Sequence, residues 1–103
     1  MKTEIIHLGR DNSIDLQLLA DGAPVGLDAV TRMTLALGDS IIDSADTGQG
    51  AGQPFDWSSG GGKVTLMLGG QAILPGHYSA ELVVFDHYHV NGLVWGTIRL
   101  RVV

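Results

Sequence analysis

The sequence predicts an all-β domain, an antiparallel sandwich of about seven to eight short strands, and three observations carry that expectation. Apolar and polar residues alternate with period two in several runs, most cleanly where Ile14, Leu16, Leu18 and Ala20 interleave with Asp15, Gln17 and Leu19. The 15 glycines cluster between such runs, where tight connections need them. No long segment carries the 3.6-residue period of an amphipathic helix.

Thr3 to Leu8 reads as a short edge strand, and Gly9-Arg10-Asp11-Asn12 as the turn after it. The alternating run from Ile14 follows and is turned by Asp21-Gly22; Val25 and Leu27 are then placed to plug one end of the core. Thr31 to Leu37 is the next strand, with Met33, Leu35 and Leu37 inward and Arg32, Thr34 and Ala36 outward. Gly38-Asp39 turns into a strand from Ser40 to Ser44, and the aperiodic, glycine-rich stretch from Ala45 to Gln53 reads as a mobile surface loop. Phe55 and Trp57 share a strand face, a hairpin turn spans Ser58 to Gly62, and Val64, Leu66 and Leu68 alternate with Lys63, Thr65 and Met67. Gly69 to Ile73 has room for one helical turn before Pro75-Gly76, and Tyr78, Ala80, Leu82 and Val84 then point inward along the penultimate strand.

The last hairpin constrains itself. A two-residue turn at Asn91-Gly92 would set Val84, on the buried face, opposite Arg99, on the exposed one. Directly opposed side chains share a face, so an odd loop or a bulge is required, with Gly92 or Gly96 as the extra residue. Ile98, Leu100 and Val102 then point inward. Trp95, Thr97, Arg99 and Arg101 point outward, and Trp95 joins Val83 and Phe85 in an apolar strip on the outer face.

Composition narrows the function. The chain has 103 residues, the length of a single domain spanning 1–103 and enough to bury roughly 60–70% of its extended surface. Charged residues are 17% against about 25% in an average domain, and mean hydropathy is +0.21, so part of the surface is expected to be covered by a neighbour. No apolar run approaches the roughly 18 residues of a membrane helix, and Met1 to His7 has no signal-peptide core. A net charge of −5 argues against a nucleic-acid partner, and the absence of cysteine removes disulfides and thiolate metal sites and favours synthesis in the cytoplasm.

No catalytic constellation stands out, and neither enzymatic activity nor a cofactor is expected. His87 and His89, two apart beside Asp86, would share a strand face, but zinc needs three or four converging ligands, and neither His7 nor His77 is brought near by any pattern. Asp43, Asp46, Gly48 and Gly50 lack the ligand spacing and terminal glutamate of a calcium loop. Gly60-Gly61-Gly62-Lys63 precedes a strand, so it reads as a hairpin turn rather than a phosphate cradle. Phe55, Trp57, Tyr88 and Trp95 could line a sugar-binding face, although Trp57 beside Phe55 fits a core better.

Leu74-Pro75-Gly76-His77-Tyr78 resembles the tyrosine corner of immunoglobulin-like sandwiches, in which a tyrosine hydroxyl bonds back to the turn before its strand. That likeness implies that Leu74, Gly76 and Tyr78 clamp one sheet to the other. The order of motifs extends it. Asp21-Gly22-Ala23-Pro24-Val25-Gly26-Leu27 precedes a strand, Gly76-His77-Tyr78 leads into Leu82, and an Asn91-Gly92 hairpin enters the last strand. This pattern is similar to the immunoglobulin-like domains of tailed-bacteriophage virion proteins, the N-terminal domains of baseplate upper proteins above all. The resemblance implies a non-enzymatic tail, baseplate or capsid-decorating subunit. Such a subunit is made in the bacterial cytoplasm, is located in the virion, and packs in symmetric copies against other virion proteins, with no nucleic-acid or membrane partner. Val83, Phe85, Trp95, Arg99 and Arg101 are the expected contact surface, and Trp95→Asp is expected to spare folding while blocking assembly. The alternative is a carbohydrate-binding or host-surface adhesin module.

Overall fold

The structure, a computed structural model, describes residues 3–103. Met1 and Lys2, the start of the segment read as lacking a signal-peptide core, lie outside the described residues. The strands are β1 (Thr3–Ile6), β2 (Ile14–Gln17), β3 (Leu19–Ala20), β4 (Ala23–Pro24), β5 (Val30–Leu37), β6 (Ser40–Asp43), β7 (Phe55–Asp56), β8 (Lys63–Leu66), β9 (Gly76–Asp86) and β10 (Leu93–Val102), with a one-turn helix α1 (Ser44–Thr47) after β6.

A five-stranded sheet runs in the order β1-β10-β9-β5-β6, a three-stranded sheet runs β2-β8-β7, and β3 and β4 form a ribbon. Both larger sheets feed one core. Met33, Leu35, Leu82 and Leu100 come from the first, and Ile14, Phe55, Val64 and Leu66 from the second. The all-β expectation holds, with two corrections. There are ten strands among the described residues rather than seven or eight, because three of them are two-residue segments. The five-stranded sheet is also mixed, since β1 runs parallel to β10 with Thr3 beside Arg99 and Ile6 beside Val102.

Local chemistry explains most departures from the simple alternation. The run from Ile14 keeps its register one residue beyond Gln17, where Leu18 donates its N–H to the Gly62 carbonyl, and then leaves the ladder as the Leu18 carbonyl turns to accept from Val25 N–H. Leu27 is buried and Val25 half-buried, packed against the core. β6 stops one residue short of Ser44, whose buried hydroxyl accepts the Met33 N–H at 2.9 Å. Asp43 caps α1 by accepting from Ala45 N–H, so the expected loop begins as a helical turn. Gly69 to Ile73 forms turns rather than a helix, with Gln71 N–H bonded to Leu68 O and Ile73 N–H to Gln71 O. Gly69 also fits tightly under the Gly9-Arg10 turn. Its carbonyl accepts from Gly9 N–H, and a Cβ there would lie 1.9 Å from the Arg10 carbonyl oxygen.

Candidate functional site

The hairpin of β9 and β10 carries most of the expected contact residues. Its register changes between Val94 and Gly96: Val94 lies opposite Val83, Gly96 opposite Leu82, and Trp95 opposite nothing. The bulge is there, but the extra residue is Trp95 rather than either glycine. A bulged residue is re-aimed relative to its neighbours. The Trp95 ring accordingly packs against the core, in a crevice with Leu16, Leu18, Leu82 and Ile98. Val94 takes the outward place instead and is 56% exposed. The strip of Val83, Phe85 and Trp95 is therefore not formed.

Val83 and Phe85 do share the outer face, where the chain itself covers them. Arg32 lies over the Phe85 ring, its guanidinium carbon 4.5 Å from the centroid. It also grips both oxygens of Asp43, through Nε at 2.8 Å and Nη2 at 2.5 Å. This bond, helped by Ala45 N–H and opposed by desolvation, holds the Asp43 carboxyl below its ordinary range. Gly92 folds back over the pair: a Cβ on it would stand 2.5 Å from Val83 Cγ1 and 2.8 Å from Phe85 Cε1. Arg99 and Arg101 are outward and exposed, opposite Ser79 and His77. Arg99 is five residues along the strand from Val94, about 17 Å. The five residues expected as one surface thus fall into three places.

Leu74, Gly76 and Tyr78 do come together, around a hydrogen bond of 2.6 Å from the Tyr78 hydroxyl to the Leu74 carbonyl. The Leu74 side chain takes no part in any clamp, because it is 79% exposed and contributes only its backbone oxygen.

Val90, Leu93 and Val94, which sequence reasoning missed, lie on the hairpin connection and the strand start after it. Asn91-Gly92 is not a two-residue turn, because six residues, His87 to Gly92, connect the strands. Asp86 organises them, its Oδ1 accepting from Tyr88 N–H and His89 N–H and lying 2.8 Å from His89 Nδ1. Burial pushes the Asp86 carboxyl up, but these bonds outweigh it and leave the group below its usual range. With Asp86 so engaged, His87 and His89 belong to a turn rather than to one strand face. Tyr88, Val90, Leu93 and Val94 are all exposed on this connection and the strand start after it. Their apolar character was visible in the sequence, but the assumed tight turn hid the length of chain that displays them.

The other sites considered have structural uses. Asp43 is committed to Arg32 and α1, and Gly60 to Gly62 form the turn into β8, with Gln17 Nε2 bonded to Gly61 O at 2.5 Å. Phe55 and Trp57 are buried and Trp95 is largely inward, so of the four aromatics considered for a sugar face only Tyr88 is exposed. Among the described residues no three His, Cys, Asp or Glu side chains converge as metal ligands, and no helix is long and apolar enough to cross a membrane. No protein family, curated protein or solved structure matches the chain.

Proposed function

We propose that the chain is a non-enzymatic structural subunit of a phage or prophage particle, an immunoglobulin-like sandwich of the tail, the baseplate or the capsid surface that works by packing against other virion proteins and copies of itself. One observation carries the reading. The β9–β10 hairpin holds Tyr88, Val90, Leu93 and Val94 out of the core on a connection stiffened by Asp86. Large apolar side chains gathered on a fixed loop are the composition of an interface centre, where a partner's burial supplies the stabilisation that water denies them. The motif order from Asp21-Gly22 to the last hairpin and the Tyr78–Leu74 bond support the virion assignment. The glycan-binding alternative has no comparable support, because most of its expected platform lies inside.

The test is incorporation. Wild-type protein is expected in purified particles, located by electron microscopy, whereas Val90→Asp folds with unchanged circular dichroism and is missing from them. Particles that carry the Val90→Asp protein at wild-type occupancy would remove the tip from the interface.

A further inference from the structure

Among the described residues the five-stranded sheet ends at β1 on one side and β6 on the other, and we infer that copies of this chain join head to tail through these edges, with β6 of one copy antiparallel to β1 of the next and Ile41 opposite Ile5. The inference rests on the reading of the chain as a repeating structural subunit and names the contact between repeats.

Strand direction comes first. β1 runs with β10, and β10, β9, β5 and β6 alternate, so β1 and β6 are opposed within one molecule. Shifting a copy sideways along the sheet therefore sets β6 antiparallel to the next β1 while keeping outer face beside outer face.

Backbone groups come second. Val103 N–H bonds Ile6 O and Leu8 N–H bonds Val103 O, so even-numbered residues of β1 turn toward β10. Thr3 and Ile5 then turn their N–H and C=O to the edge. On the other side, Leu37 and Ser40 close the two-residue Gly38-Asp39 turn. Such a closing pair is hydrogen-bonded, so Ser40 and Ile42 face β5, while Ile41 and Asp43 face outward. Ile5 and Ile41 are thus the matching members of a bonded pair. Both lie on the outer face, 49% and 68% exposed, and pairing would bury them against each other. In this register Thr3 stands opposite Asp43, and the ladder stops short of His7, whose N–H and C=O are already bonded to the Asn12 side chain.

Charge favours this pairing over two β6 edges. Asp39, Asp46 and the Arg32-paired Asp43 flank the β6 edge, whereas Arg99 and Arg101 stand on β10 directly behind Thr3 and Ile5 of β1, which itself carries Glu4. Two β6 edges joined at Ile41 would set Asp39 opposite Asp43 twice. Like charges so placed are destabilising, whereas the mixed contact turns the acidic edge toward the arginines behind β1. The β6 edge also borders an open cleft of about 360 Å³ lined by Ser40 to Asp43, Asp46, Thr47 and Gln71 to Ile73, which gives an incoming strand a floor. Neither edge strand contains proline or a bulge, the usual devices against such pairing. A four-residue edge buries less than the roughly 1,200 Å² of a stable pair, so each contact is weak alone and gains from repetition. A head-to-tail contact repeats into a ring or a filament.

The chain has no cysteine, so placed thiols report the contact directly. A bonded antiparallel pair holds its Cα atoms about 5.5 Å apart, within disulfide range. Ile5→Cys and Ile41→Cys, one of them mass-tagged, are mixed at about 1 mM under mild oxidation. The mixed disulfide is expected to form at least about tenfold faster than either homodimer, and the double variant is expected to give a ladder of oligomers. Ile41→Cys or Ile5→Cys homodimers forming as fast as the mixed pair, or no cross-linking in any combination, would overturn the inference. Val90→Asp in the double-cysteine background separates the two readings. No ladder, with Val90→Asp still keeping the protein off particles, removes only the edge contact. A ladder, with Val90→Asp incorporated normally, supports the edge contact and removes only the tip.

Discussion

Tyr78 donates its hydroxyl to the main-chain oxygen of Leu74, four residues earlier, while the Leu74 side chain stands in solvent. The turn is therefore tied by backbone and phenol, and the identity of residue 74 is secondary. Tyr78→Phe should cost about 1 kcal/mol in urea unfolding, the net contribution of one such bond. Leu74→Ala should fall within about 0.5 kcal/mol of wild type. A larger loss at Leu74 than at Tyr78 would contradict this arrangement.

The Arg32–Asp43 grip predicts an acid dependence. Asp43 has a lowered pKa in the folded protein, so its contribution is complete above the unfolded value near 4 and is lost as pH falls through the folded value. Asp43→Asn should melt a few degrees below wild type at pH 7, and the two melting curves should converge once pH has fallen below the folded value. A gap of constant size across that range would mean the carboxylate charge is not what matters there.

Gly69 is the backbone position least able to accept a side chain, because the Arg10 carbonyl occupies the space a Cβ would need. Gly69→Ala should destabilise by more than about 2 kcal/mol, since backbone must move. Gly96→Ala is the matched control: nothing lies within 4 Å of the place its methyl group would take, and a change within about 0.5 kcal/mol is expected. Equal denaturation midpoints for the two would show that the Gly9–Gly69 approach is loose.

Trp95 now belongs to the stability side of the molecule. Trp95→Ala should cost about 2–3 kcal/mol, below the full range for a completely buried ring because this one is half-buried. Trp95→Asp is expected to unfold the domain rather than leave it folded and unable to assemble. A folded Trp95→Asp protein, judged by near-ultraviolet circular dichroism, would return the indole to the surface.

The inward residues of the long strands were legible because the sheet keeps strict alternation there. Met33, Leu35 and Leu37, and likewise Ala80, Leu82 and Val84, are all buried as the period requires. The same counting failed at Trp95, because parity survives only until a register change, and no residue type around Val94 announces where the unopposed position falls. It held through Leu18, which is buried, and failed at Ala20, which is exposed because the Leu18 carbonyl turns to Val25 and the chain leaves the ladder. The tip was half legible: Tyr88 and Val90 are plainly apolar, but Asn91-Gly92 suggested a shorter connection than Asp86 organises. The parallel partner of Thr3–Ile6 left no local trace, since nothing in four residues encodes a neighbour at the far end of the sequence.

That parallel pairing has a consequence for how the molecule is made. A polypeptide emerging from the ribosome must keep Thr3–Ile6 waiting, unzipped, until Arg99–Val102 has been translated, because those two stretches are each other's lateral neighbours. Closure of the larger sheet at β1 therefore waits until β10 has emerged. Its rate is governed by a loop almost as long as the chain, and the waiting strand is the segment most open to capture by another nascent copy.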